Sequence, residues 1–262
     1  MCNNNNITVT LLGTGTSGGV PSLGCQCEVC RSKDPRDQRL RCVALVESAA
    51  GTRVLIDCGP DIRQQLMPLP FKPFDAILMT HIHYDHVGGI DDLRPFSVFG
   101  PINLYGDEKT CDHVRQIMPY CFGEHLYPGV PRLKLHTIRP HEPLRVGDLE
   151  IIPIEVMHGK MPILGFRIGK FAYITDMKTI GDAELPYLDG VETLVVNALR
   201  FEKEHHSHQL VADAADFAHK IGAKQTYITH VCHHIGLYDE AEKRMPEGLS
   251  LAYDGLKLTM ER

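Results

Sequence analysis

One stretch constrains this chain more than any other. The apolar run Asp75-Ala76-Ile77-Leu78-Met79 leads into Thr80-His81-Ile82-His83-Tyr84-Asp85-His86. A buried strand therefore ends by delivering three imidazoles and a carboxylate within six positions. Alternation at the strand end points His81 and His83 the same way, and the following turn returns Asp85 and His86 beside them. Neutral imidazole and carboxylate are good ligands for zinc-like divalent ions. One ion rarely takes four ligands from so short a segment, so the spacing argues for two adjacent metals. The alternative is a polar turn that happens to be rich in histidine.

Further donors recur where strands stop. His158 follows the strand Leu149 to Val156 and precedes Gly159. Asp176 closes Phe171-Ala172-Tyr173-Ile174-Thr175 and can either bridge two ions with its two oxygens or cap a helix over Met177 to Leu185. His230 ends the strand Lys224 to Thr229, with His233 and His234 just beyond. Asp57 ends the strand Arg53 to Ile56, where it either orients a ligand histidine or caps a turn. The cluster Glu202 to Gln209, which holds His205, His206 and His208, is either a metal-binding tract or a source of proton donors. Arg94 lies on a short helix expected over Val87 to Pro95, free to clamp a phosphate or to pair with Asp91 or Asp92. His125, in an irregular loop from Pro119 to Pro131, is a further candidate substrate contact.

Near the amino end, Gly13-Thr14-Gly15-Thr16-Ser17-Gly18-Gly19-Val20-Pro21 follows the first strand. So many glycines mean backbone that turns sharply or approaches something closely. No Gly-Lys-Ser/Thr follows, so this is not a nucleotide-binding Walker loop. Next, Cys25, Cys27 and Cys30 stand in C-x-C-x-x-C, a spacing that can wrap one tetrahedral ion with a fourth ligand from elsewhere. Nine cysteines with such a triplet argue for free thiols and a metal site in a reducing cytoplasm, not for a disulfide framework. The sequence shows neither a secretory leader nor a membrane-spanning run. A net charge of −6 argues against an extended nucleic-acid surface.

Strands outnumber helices and come in runs. An α/β (α+β) fold of two packed sheets with helices outside is expected, as one domain over 1–262, with the cysteine-rich loop at about 22–32. Helices are expected at Asp107 to Met118 and Leu210 to Ile221, and further strands at Cys42 to Val46, Ile102 to Tyr105, Leu133 to Ile138, Ile163 to Ile168, Thr193 to Val196 and Leu256 to Met260.

The order His81-x-His83-x-Asp85-His86, His158, Asp176, His230 resembles the metallo-β-lactamase superfamily along nearly the whole chain. The resemblance implies a four-layer αββα sandwich of two mixed sheets, with the site at one edge. It implies that His81, His83 and His158 hold one ion, that Asp85, His86 and His230 hold the other, and that Asp176 bridges them. Within the superfamily, the stretch Leu12 to Pro21, the cysteine triplet and Thr229-His230-x-x-His233 resemble the phosphoribosyl cyclic phosphodiesterases of bacterial phosphonate breakdown. That likeness implies a structural zinc on Cys25, Cys27, Cys30 and His233. The 205–208 cluster resembles a loop carrying a proton-donating histidine, for which His208 is favoured and His205 held in reserve.

The implied chemistry is phosphodiester hydrolysis. Two dications, zinc or manganese, lower the pKa of a bridging water, the resulting hydroxide attacks phosphorus, and a histidine protonates the leaving group. Asp85 belongs to this catalytic set through its metal. The expected partner is a small phosphodiester or cyclic phosphate, with no membrane and with homodimerisation as relatives of the fold suggest. The rival readings are a ribonuclease Z-like RNA-processing nuclease and a non-enzymatic zinc-binding protein.

Overall fold

The computed structural model describes residues 5–123, 126 and 128–262. His125 lies outside the described residues. The strands are mostly short, apolar and rich in β-branched side chains, so they tolerate burial on both faces. They form two sheets. The first contains β1 (Asn6–Gly13), β2 (Val43–Ser48), β3 (Arg53–Ile56), β4 (Ala76–Leu78), β5 (Ile102–Gly106), β6 (Leu133–Thr137) and, from the far end of the chain, β14 (Leu256–Glu261). The second contains β7 (Leu144–Val146), β8 (Leu149–His158), β9 (Met161–Ile168), β10 (Phe171–Ile174), β11 (Thr193–Asn197), β12 (Gln225–Thr229) and β13 (Leu249–Leu251). Their orders are β14-β1-β2-β3-β4-β5-β6 and β13-β12-β11-β10-β9-β8-β7. Each sheet is antiparallel in one part and parallel in another. β3 to β6 run parallel, and so do β10 to β13.

Among the described residues, six α-helices accompany the sheets: α1 (Glu28–Arg31), α2 (Ile62–Leu66), α3 (Tyr84–Val87), α4 (Glu108–Ile117), α5 (Val211–Ile221) and α6 (Tyr238–Lys243). Alternation along each strand sorts its side chains between layers. Val54, Ile56, Ala76 and Leu78 point between the sheets, where they meet Leu164, Phe166, Phe171 and Tyr173 of the second sheet. Their neighbours Leu55 and Ile77 point outward and pack with Cys111 and Val114 of α4. In the second sheet, Ala172, Ile174, Leu194 and Val196 face Val211, Ala214 and Phe217 of α5. Three apolar clusters thus separate four layers, αββα. No helix among the described residues is long and apolar enough to cross a membrane.

Two expected helices take other forms. The segment after His86 is not one helix ending before Pro95. Instead α3 stops at Val87, and a 3-10 helix runs from Ile90 to Phe99 with Pro95 inside it. Met177 to Leu185 is not an α-helix from its start. The backbone N–H and C=O of Met177 are both taken by the Asn197 side chain, at 2.7 and 3.0 Å, and Lys178 N–H bonds to Met157 O at 2.7 Å. With those groups satisfied elsewhere, a 3-10 helix begins only at Asp182. β7, β13 and α6 are too short to stand out in the sequence.

Phe166 is fully buried between the sheets, whereas Leu23 is fully exposed. Phe166→Ala should therefore cost about 3–5 kcal/mol in chemical denaturation, and Leu23→Ala less than about 0.5 kcal/mol. Equal losses would mean that the sheets do not pack through this cluster.

Candidate metal centre

The site lies where the parallel-paired strands β3, β4, β10 and β12 end, the usual ligand position in such sheets, together with the end of the antiparallel strand β8. Asp57 follows β3, the 80–86 motif follows β4, His158 ends β8, Asp176 follows β10, and His230 follows β12. Three of these residues have left-handed backbone: Asp57 (φ 65°), Asp176 (φ 56°) and His230 (φ 54°). Non-glycine residues rarely adopt this conformation, and such strain concentrates at functional sites. Two glycines permit the close approach of the first two loops. A Cβ on Gly59 would lie 2.1 Å from Asp85 O, and one on Gly89 would lie 2.0 Å from Gly59 O.

The donors gather as trios. His81, His83 and His158 come together, as do Asp85, His86 and His230, and each trio's ligand atoms lie within 4.8 Å of one another. Asp176 forms a further trio with His81 and His86, and another with His158 and His208. Its Oδ2 lies 2.9 Å from His86 Nε2, while its Oδ1 lies 3.0 Å from His230 Nε2 and 2.8 Å from His208 Nε2. The carboxylate therefore reaches the second trio through both oxygens and stands against the first.

Hydrogen bonds behind the donors free the nitrogens that face inward. Thr80 donates its hydroxyl to Asp57, 3.0 and 2.9 Å from the two carboxylate oxygens, and so accepts from His81 Nδ1–H at 2.9 Å. His86 Nδ1–H donates to Asp57 Oδ2 at 2.7 Å. His158 Nδ1–H donates to the carbonyls of Asp176 and Ser207, at 2.7 and 3.0 Å. In all three, Nε2 is left as a lone-pair donor, the arrangement typical of ligand histidines. Burial is the largest influence lowering the pKa of His81, His83 and His158, so these imidazoles are held neutral, the form that binds metal. Burial also acts on His86, but Asp176 and Asp57 outweigh it and raise its pKa well above the ordinary value. Burial disfavours charge on Asp176, yet His230 and His86 hold its pKa well below the carboxylate range. The second trio is thus a cluster of opposite charges that a dication can replace.

The residues fit metal ions by two tests. Nε2 of His86 and Nε2 of His230 meet only the carboxylates of Asp85 and Asp176, and His230 Nδ1 is buried with no hydrogen-bond partner among the described residues, a costly arrangement unless an ion takes the inward nitrogens. His81 Nε2 and His83 Nδ1 are 3.1 Å apart, close to the roughly 3.3 Å edge of a tetrahedron with bonds of about 2.0 Å. Cys25, Cys27, Cys30 and His233 also come together. There, His233 Nδ1 lies 3.5 and 3.3 Å from the sulfurs of Cys25 and Cys27, again near tetrahedral spacing. The Cys27 thiol is lowered to about 6, chiefly by the backbone N–H of Cys30, while burial raises Cys30 to about 11.

His208, on the loop before α5, meets His205 with the two Nδ1 atoms 2.9 Å apart and lies 3.2 Å from Ser207 Oγ. Arg94 is not brought to the donors. Asp91 holds its guanidinium at 2.7 Å, and it lines a groove beside α2. In the glycine-rich loop, a Cβ on Gly13 would lie 2.0 Å from Arg41 O, so that glycine serves close backbone packing, whereas Gly18 at the tip meets nothing. Of the residues that support the site, Thr80 and Asn197 were missed. The only sequence signal for either is its place at the end of a buried strand.

The sequence profile of the β-lactamase superfamily domain matches residues 52–231. The chain belongs to the metallo-β-lactamase superfamily. Among solved structures, a diphosphatase of the PhnP family superposes with a TM-score of 0.89, is 39% identical, and is matched over 97% of both chains. Zinc-bound PqqB of Methylobacterium extorquens (TM-score 0.76, 22% identical, 96% of this chain and 99% of that one) and the short form of human tRNase Z (TM-score 0.71, 20%, 96% and 98%) share the fold. By sequence, a Porphyromonas gingivalis protein named octanoyltransferase is 43% identical over 251 residues, which are 96% of this chain and 51% of that protein. Coenzyme PQQ synthesis protein B of Rhodopseudomonas palustris is 29% identical over 167 residues, 57% of this chain and 52% of that one. The chain spans about half the length of these curated relatives.

Two outcomes test this geometry. Asp57→Asn introduces an amide NH₂ where only acceptors suit Thr80 and His86, so affinity at the His86 trio should fall about 10–100-fold by chelator competition. The cysteine site should keep its zinc, and unchanged affinity at both would show that Asp57 orients nothing. At the cysteine site protons already compete for Cys30 at neutral pH, because burial holds its thiol up at about 11, and Cys27 joins the competition below about 6. Zinc affinity should therefore fall as pH falls and fall more steeply below about 6, read by chelator competition across pH.

Proposed function

We propose that this chain is a metal-dependent hydrolase of small phosphodiesters, with His208 as the proton donor to the departing oxygen. The observation that carries this reading is the position of His208. Its Nε2 lies 2.8 Å from Asp176, the carboxylate against which both donor trios stand. A proton can therefore be held beside the reacting centre on a residue that the two trios do not require.

His81, His83 and His158 would hold one divalent ion, Asp85, His86 and His230 the other, with Asp176 between them. Zinc or manganese suits these nitrogen and oxygen donors, and zinc suits the cysteine site. When bound, the pair of ions supplies an acidified water and offsets the charge that builds on phosphoryl oxygens. The chain's own residues do the rest. Asp57 and Thr80 fix the ligand rings. His83 and Tyr84 are exposed and form an open side through which substrate can enter. His208 holds its proton at Nε2, while His205 and Ser207 keep the ring in place from the Nδ1 side.

The likeness to a PhnP-family diphosphatase supports phosphoryl chemistry, since a diphosphate and a phosphodiester both present a phosphorus with two oxygen-linked substituents. Acyl transfer has less support. It would need a reactive nucleophile, and burial pushes the nearby Cys42 thiol up to about 12. The name octanoyltransferase belongs to a protein about twice the length of the matched region. An RNA-processing role would favour a basic surface, which a net charge of −6 does not supply.

His208→Ala should lower kcat on an alkyl or nucleoside phosphodiester by about 10²–10⁴-fold, with metal content unchanged. On bis(p-nitrophenyl) phosphate, whose leaving group departs without a proton, the loss should be far smaller. Equal losses on both substrates would remove His208 from the donor role. Turnover of a dinucleoside diphosphate or of an RNA, with none of the small phosphodiesters, would overturn the substrate class.

A further inference from the structure

The glycine-rich loop after β1 reaches the metal centre, and one cation is locked against it. β1 and β3 both pair antiparallel with β2, so they run the same way. The loop after β1 therefore emerges at the same end of the sheet as Asp57, which follows β3. There the loop is tied to Val231, the residue after His230. Val231 N–H donates to Thr14 O and Thr16 N–H donates to Val231 O, both at 3.1 Å. Gly15, between those two threonines, makes parallel bridges to Val231 and to Arg41. A second contact brings Arg41 to the same place. A Cβ on Gly59 would lie 3.5 Å from Arg41 Cβ and 2.1 Å from Asp85 O. Two independent contacts thus set Arg41 at the rim of the centre, on the side of Asp85 and His230.

The guanidinium is held as a fixed donor. Its Nη1 donates to both oxygens of Asp61, at 2.8 and 3.0 Å, and its Nε donates to Ser17 O at 3.2 Å. Asp61 also accepts from Arg41 N–H at 2.8 Å, so the residue is tied at both ends. Nη2 has no hydrogen-bond partner among the described residues, and the side chain is 31% exposed. The loop leaves space beside it. A Cβ on Gly18 would meet nothing within 4 Å, and one on Gly19 would lie 3.8 Å from Arg41 Nη1. An arginine pinned in this way has lost its rotamer freedom before a ligand arrives, and its free nitrogen is aimed in advance. Asp61 offsets the charge, so Arg41 acts through a placed donor and little through long-range attraction. Charge-assisted bonds from guanidinium suit phosphate and carboxylate oxygens. Resting on the reading of the site as a phosphodiesterase, we propose that Arg41 is a substrate-binding residue whose Nη2 donates to an anionic oxygen of the substrate. That oxygen belongs either to the reacting phosphoryl group or to a second phosphate on its substituent.

The test is calorimetric titration of the metal-loaded chain with thymidine monophosphate and with thymidine bisphosphate, on the wild type, Arg41→Gln and Arg41→Lys. Both variants should bind at least about tenfold more weakly, with metal content unchanged. Weaker binding of both nucleotides assigns the oxygen to the phosphoryl group at the metals. Weaker binding of the bisphosphate alone assigns it to a second phosphate. Lysine can keep the pair with Asp61, but its single ammonium cannot also serve Ser17 O and a ligand in one plane. A residue that only braced the loop would therefore be rescued by Arg41→Lys. Affinities in Arg41→Gln within about twofold of the wild type for both nucleotides overturn the proposal, and so does full recovery in Arg41→Lys. Neither nucleotide is a phosphodiester, so these titrations stand apart from turnover. Failure of the phosphodiesterase reading would show separately, as a wild type that hydrolyses no small phosphodiester.

Discussion

The carboxylate of Asp57 holds the centre together. It is fully buried, and burial pushes its pKa up against the pull of His86 and Thr80. An unpartnered carboxylate here would be costly. Instead it accepts from the Thr80 N–H, the Thr80 hydroxyl and His86 Nδ1, so one group at the end of β3 fixes the start and the end of the motif after β4. Through the Thr80 hydroxyl its influence passes to His81. Two ligands, one from each trio, thus take their ring orientation from a residue that binds no metal.

The centre is a seam between the two halves of the chain. The first half brings His81, His83, Asp85 and His86, and the second brings His158, Asp176, His208 and His230. A backbone bond from Leu164 N–H to Thr80 O, 2.9 Å long, crosses from one sheet to the other just before His81. The ligand geometry is therefore only as firm as the apolar cluster that presses the sheets together. The cysteine site buttresses the same seam, since His233 lies three residues beyond His230 and draws the chain after β12 towards α1.

Much of this was legible in the residues. Buried strands announce themselves by continuous apolar runs, and each donor stands where such a run stops, so the 81–86 motif, His158, Asp176 and His230 could be read as one set. The cysteine triplet carried its own spacing rule. Other features had no local signal. Pro95 looked like a terminator, but a 3-10 segment accommodates it. Met177 looked helical, but Asn197, twenty residues on, claims its backbone. Arg94 could clamp a phosphate or pair with Asp91 or Asp92, and Asp91, one turn earlier, takes it.

What the sequence determined by itself was the alternation that builds four layers and the residue types able to hold metal, because these depend on side-chain chemistry and strand period alone. Only the tertiary structure decided which nitrogen each histidine offers and that Asp176 faces both trios with His208 beside it. Those outcomes depend on contacts between distant segments of the chain, as between Asp85, His86, Asp176 and His230. Such contacts come from the packing of whole sheets, which no local pattern records.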